Sequence, residues 1–151
     1  MSRRRVVVTG LGIVSPVGND VAAAWANVLA GKSGIGPITQ FDVSEFSTRF
    51  GGEIRDFDAS RFVPAKDVRK MDPFIHFGIA AASEALQNSG LTLDHYPAHR
   101  VGVAMGSGIG GVGTIESNHD RYKEGGPRKI SPFFVPASII NMVSGHVSIQ
   151  Y

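Results

Sequence analysis

The stretch Val101 to Gly113, VGVAMGSGIGGVG, constrains the fold of this chain more than any other. A short apolar run, Val101 to Met105, stops at a cluster of glycines. Such a run suits a parallel strand covered on both faces, where the alternation of apolar and polar residues is lost. The glycines put bare backbone at the C-terminal end of the strand, which is where ligands sit in open α/β sheets. Glycine serves there because it tolerates positive φ and lets a ligand or a neighbouring chain come close.

The rest of the chain alternates in the same sense. Arg5 to Thr9 is Val-rich, ends at Gly10 and Gly12, and is predicted to be a second buried strand. Asn19 or Asp20 caps a helix to about Ala30, with Val21, Trp25, Val28 and Leu29 as its apolar face and Gly31 as its stop. Gly34 to Gly36 and Pro37 read as a turn, with a short strand near Phe50 to Ile54. Pro64 to Lys70 reads as a short basic helix. Asp72-Pro73 is a cap followed by proline at the first helical position, and the helix it starts runs to about Ser89 and ends at Gly90. Ile75, Ile79, Ala82 and Leu86 form one stripe on it, widened by Phe74, Ala81 and Ala85. The polar stripe of His76, Ser83, Glu84 and Gln87 is narrow, so most of this helix should be covered. A polar helix follows from about Thr114 to Lys123, and a last one starts near Pro136. Strands alternating with helices predict an α/β fold of parallel-sheet βαβ units.

The length suffices for one domain with a real core. A net charge of +2 is too small to argue for nucleic acid. No apolar run is long enough to span a bilayer. Arg3, Arg4 and Arg5 before Val6, Val7 and Val8 imitate the start of a secretory signal, but the apolar stretch is short and is interrupted by Thr9, Gly10 and Gly12. The sequence has no cysteine, which excludes disulfides and a thioester nucleophile from within it and fits a cytoplasmic setting.

Gly108-Ile-Gly110-Gly-Val-Gly113 matches the dinucleotide pattern G-x-G-x-x-G after a strand. That pattern needs a following strand ending in an acidic residue, and GGPRKISPFF supplies neither. Tight turns and close packing are therefore the first reading of these glycines, with a nicotinamide site as the alternative. His76, His95, His99, His119 and His146 form no ligand set with a carboxylate or thiol, so no metal is expected. Ser15 and Ser107 follow strands but lie in no G-x-S-x-G elbow, and no complete catalytic group is present. Lys66, Arg69 and Lys70 share one helix face, and Arg128 and Lys129 add a second basic pair. These residues are either a solvated face or a docking site for an acidic partner.

VVVTGLGIVSPVGN, the RKMDPF helix start, GSGIGG and above all GGPRKISPFFVPASIINM resemble the β-ketoacyl-acyl-carrier-protein synthases of fatty-acid elongation, of the synthase II kind, from Arg3 to Tyr151. The resemblance implies a thiolase-like fold, five-layer α-β-α-β-α in the complete protein, and a homodimer. It implies decarboxylative condensation of a malonyl thioester on acyl-carrier protein with an acyl group held on cysteine, without cofactor or metal. In that family the cysteine follows one more strand beyond the position of Tyr151, and the catalytic histidines lie in the C-terminal half. Residues 1–151 are thus expected to be an incomplete N-terminal half of such a synthase, with no catalytic residue of their own. The resemblance places Ile109 and Phe134 in the acyl pocket, Phe134 reaching toward the partner subunit. It places Lys66, Arg69, Lys70, Arg128 and Lys129 against the acidic carrier protein. A non-catalytic chain-length factor of a polyketide synthase is the alternative within the same fold.

Overall fold

The computed structural model describes residues 3–151. Its elements in chain order are α1 (Val21–Leu29), β1 (Ile35–Pro37), β2 (Phe50–Gly52), α2 (Ala65–Val68), α3 (Pro73–Ser89), α4 (Val112–Gly125), α5 (Phe134–Ser138) and α6 (Met142–Gln150), with single-turn helices in several connections. The chain divides into two compact units, one of residues up to Phe57 together with Ser83–Leu91, the other of Asp58–Ala82 together with Thr92–Tyr151.

The second unit holds the core. Helix α3 starts where Asp72-Pro73 dictates: the Asp72 carbonyl accepts from the Ile75 amide at 3.0 Å, and Asp72 Oδ1 from the Phe74 amide at 3.4 Å. Ile75 and Ile79 are one turn apart on α3, Val143 and Val147 one turn apart on α6, and with Val63 they form one buried cluster. Gly78 permits the approach of the two helices. A Cβ there would strike Val143 Cγ2 and lie 3.2 Å from Met105 Cε.

Val101 to Met105 departs from expectation. Val103 and Met105 pack on the core, but Val101, Gly102 and Ala104 are exposed, so one face is covered rather than two. No ladder forms along it. The Ser144 hydroxyl of α6 serves Met105 instead, accepting from its amide and donating to its carbonyl, both at 3.1 Å. The last helix also differs, being split into α5 and α6. Ile139 is extended, with φ −74° and ψ 133°, and the Ser138 carbonyl accepts from the Gly111 amide rather than continuing a helix.

In the first unit, α1 forms as predicted, with Asp20 Oδ1 accepting from the Ala23 amide at 2.7 Å. Its buried side is not the expected one. Ala24 is buried, while Trp25, Val28 and Leu29 are 61%, 53% and 69% exposed. Arg5 to Thr9 likewise forms no strand, and Val6 and Val8 are 95% and 80% exposed. A strand needs a partner for its backbone groups, and none pairs with this one among the described residues. Side chains from the end of α3 hold the chain just after it. Asn88 Oδ1 accepts from the Leu11 amide at 3.0 Å, and Glu84 Oε2 from the Ile13 amide at 2.9 Å. Gly10 fits this close approach, because a Cβ there would strike the Ala85 carbonyl. The one sheet among the described residues is the antiparallel pair β1–β2, so the predicted turn at Gly34 to Pro37 is mostly a strand and the predicted parallel sheet is absent from them.

Candidate functional site

The predicted pocket residues and basic residues all fall in the second unit. Ile109 stands on the glycine-rich loop and is 71% exposed. Its own side chain is therefore not what holds it. The backbone on either side is fixed: the Gly110 amide donates to Ser107 Oγ at 3.0 Å, and the Gly111 amide to the Ser138 carbonyl at 3.0 Å. Gly110 has φ +86°, and a Cβ on it would strike the Ser138 carbonyl. Glycine is required there for both reasons. The loop of Ile109 is thus pressed against the end of α5, the helix that starts with Phe134.

Phe134 is half-buried. Its segment is anchored through Ser131, whose amide donates to Asn118 Oδ1 at 2.8 Å and whose carbonyl accepts from the Phe134 amide at 3.0 Å. Asn118 is a buried residue of α4, and its Nδ2 donates to the Thr114 carbonyl at 2.8 Å. The sequence offered no reason to single out Asn118, because a lone Asn in a polar helix reads as a solvent-facing residue.

The basic residues differ among themselves. Lys66 and Arg69 on and just after α2 are exposed, as are Arg128 and Lys129 on the turn that follows α4. Lys70 is engaged. Its Nζ lies 2.6 Å from Asp67 Oδ1 and 5.4 Å from the centre of the Phe133 ring. That hydrogen bond holds the Asp67 carboxyl below its usual pKa, with smaller contributions from the charges of Lys70, Lys66 and His146. Lys70 therefore ties the basic α2 region to the residue next to Phe134.

The buried His76 ring places Nε2 3.1 Å from the Val68 carbonyl. Burial lowers its pKa from the ordinary value, against the opposing effects of that carbonyl and of the Asp72 charge. A histidine held this way, with its ring nitrogen spent on a backbone carbonyl, is a structural group.

The N-terminus of α4 bears on the nicotinamide alternative. A dinucleotide would put its diphosphate on the free amides there. Asp72 Oδ2 occupies that position, accepting from the Thr114 amide at 3.2 Å and the Thr114 hydroxyl at 2.8 Å. A second anion beside this carboxylate would be repelled, so the glycines serve packing. Among the described residues no three His, Asp or Glu side chains gather as a metal site requires, and no helix is long and apolar enough to cross a membrane.

The family described as "Beta-ketoacyl synthase, N-terminal domain" matches residues 3–151. The 3-oxoacyl-[acyl-carrier-protein] synthase 2 of Vibrio harveyi is 56% identical over 150 residues, which are 99% of this chain and 36% of that protein. The chain thus spans little more than a third of the length of this relative. Among solved structures, the ishigamide ketosynthase/chain length factor is similar with a TM-score of 0.81 at 28% identity, covering 99% of this chain and 37% of that one. A type II PKS acyl-carrier protein in complex with its ketosynthase bound to the hexaketide is similar with a TM-score of 0.77 at 29% identity, covering 99% of this chain and 39% of that one. The motifs GSGIGG and GGPRKISPFFVPASIINM lie within the matched region, and the chain belongs to the β-ketoacyl synthase family through its N-terminal domain.

Proposed function

We propose that this chain supplies the N-terminal half of a condensing acyltransferase that extends fatty acids, a 3-oxoacyl-acyl-carrier-protein synthase. The observation that carries the reading is similarity over nearly the whole chain to the Vibrio harveyi synthase 2 at 56% identity. The chain-length-factor reading draws on a solved structure of that description at only 28% identity, and ranks below it. The reaction joins an acyl group, held as a thioester on the enzyme, to the carbanion left when a malonyl thioester loses carbon dioxide. The chain contains no cysteine, so the acyl-bearing nucleophile comes from residues outside these 151.

The part played by this half is to bind and orient. Ile109 and Phe134 form apolar wall for the acyl chain, Ile109 from a loop with a fixed backbone and Phe134 from the start of α5. Lys66, Arg69, Arg128 and Lys129, exposed, and Lys70, beside Phe133, receive the acidic carrier protein. The complete enzyme is a cytoplasmic, thiolase-like homodimer with five layers, acting on malonyl and acyl thioesters without cofactor.

The test is to join this chain to the remaining part of the Vibrio harveyi relative and assay β-ketoacyl product from malonyl-carrier protein. We expect turnover from the joined protein. Lys66→Glu with Arg69→Glu should raise KM for the carrier-linked substrate about two- to tenfold, since exposed charges are individually weak. The same pair should leave small coenzyme-A thioesters unaffected. No turnover from a folded joined protein would reject the synthase reading, and an unchanged ratio of carrier-linked to coenzyme-A-linked turnover would reject the docking assignment.

A further inference from the structure

One carboxylate lies where the glycine-rich loop and three helices of the second unit meet. Asp72 is 8% exposed. Its Oδ2 accepts from the amide and hydroxyl of Thr114, its Oδ1 from the Phe74 amide, and its own amide donates to the Ala137 carbonyl at 3.4 Å. Gly111 backs directly onto it, because a Cβ there would lie 2.9 Å from both Cβ and Oδ2 of Asp72. The carboxylate also faces the positive end of α4, where a negative charge is favourable and an amide would otherwise lack a partner.

We propose that Asp72 is a positioning residue that fixes the orientation of Ile109 and thereby the acyl chain length the site accepts. This rests on the reading of Ile109 as acyl wall given above. A side chain excludes long substrates only while its backbone stays in place. Ile109, largely exposed, gains no such restraint from its own packing. The restraint comes from the next residues. The Gly110 amide is bonded to Ser107 and the Gly111 amide to Ser138, Gly111 rests on Asp72, and Thr114 is bonded to the same carboxylate. Removing the carboxylate frees the start of α4 and opens space behind Gly111. Ile109 then yields to a long acyl chain that it otherwise blocks.

The chemistry of the site separates the useful variants. Thr114→Val removes the hydroxyl donor alone and keeps shape and amide. Asp72→Asn keeps an oxygen toward Thr114 and turns its amide group toward Phe74, so it loses charge and the longer bond but retains the clamp. Asp72→Ala loses every side-chain bond and keeps only those of the backbone.

The experiment uses the joined synthase described above and measures kcat and KM for carrier-bound short and long acyl primers. Ile109→Phe should lower the long-to-short ratio of kcat/KM by filling the pocket. Asp72→Ala and Thr114→Val should raise that ratio, Thr114→Val by about two- to tenfold, the factor that one net hydrogen bond represents. The change should appear as a lower KM for the long primer, with kcat for the short primer kept. Asp72→Asn should stay within about twofold of the parent, because its oxygen preserves the bonds from Thr114. A residue that merely stabilised the fold would depress both primers together. If Ile109→Phe shifts the ratio while Thr114→Val leaves it unchanged or lowers it, the role of Asp72 is overturned and the acyl-wall reading stands. If Ile109→Phe leaves the ratio unchanged, the acyl-wall reading falls and this inference with it. Should Asp72→Ala fail to fold, Thr114→Val decides by itself.

Discussion

The second unit buries Val63, Ile75, Ile79, Val143 and Val147 together, whereas among the described residues of the first unit the one buried apolar side chain is Ala24. The larger apolar residues of the first unit, Val6, Val8, Trp25 and Leu29 among them, are mostly exposed. Beside the edge-to-face pair of Phe41 and Phe46, much of its framework is polar. Glu84 accepts from the Ile13 amide and, at 2.7 Å, from the Val21 amide at the start of α1. Asn27 Nδ2 donates to the Val17 carbonyl at 2.7 Å, and Glu53 accepts from Thr39 and Gln40. Apolar burial is the larger stabilising term in folded domains, and net hydrogen bonds contribute less each. The unit that carries the candidate site is thus the one with its own core, and a loop pinned to a packed core is the better place for a substrate wall.

The largest effect should come from the core. Ile79→Ala should destabilise the second unit by about 2–5 kcal/mol, because it leaves a cavity between α3 and α6. Trp25→Ala, at an exposed position of the first unit, should cost less than about 0.5 kcal/mol. Urea titration read residue by residue would check both, and comparable losses at the two positions would erase the contrast between the units. A smaller effect is expected from Glu84→Ala. Losing a charged acceptor for two backbone amides should cost the first unit about 1–3 kcal/mol and expose Ile13 and Val21 to solvent exchange. Full protection of both amides in that variant would show that Glu84 is dispensable.

The smallest effect is on pH dependence. His76 has a pKa lowered from 6.5 by burial. Above that pH it is neutral in both folded and unfolded chains and adds no slope. As pH falls below about 6.5 the unfolded chain takes up a proton that the folded one resists, so stability of the second unit is lost through the window down to the folded pKa. His76→Gln should flatten that part of the curve, and an unchanged slope would assign the acid sensitivity to other groups.

Much of this was legible in the sequence for local reasons. Asp20, Asp72-Pro73 and Gly90 are caps and stops whose chemistry acts within a turn, and α1 and α3 begin and end by them. The stripe of Ile75 and Ile79 likewise became core. What was not legible depends on distant partners. The apolar run at Arg5 to Thr9 has strand composition, but a ladder needs a second strand, which no local pattern reveals. Trp25, Val28 and Leu29 have helical spacing, but spacing does not say which face is covered. In the site, Ile109, Phe134 and the basic residues were singled out from the sequence. The clamp by Asp72 and the anchor by Asn118 were not, since each joins residues 42 and 13 positions apart, respectively. Asp72 reads locally as a helix cap, and its second role appears only where α4 meets it.

Native-state hydrogen exchange on the 151-residue chain tests the contrast between the two units most directly. The slowest exchange is expected in α3 around Ile79 and in α6 around Val147, intermediate exchange at Ile13 and Val21, and unprotected exchange at Val6 to Val8. Protection of Val6 to Val8 as strong as that of Ile79, or fast exchange throughout α6, would contradict it.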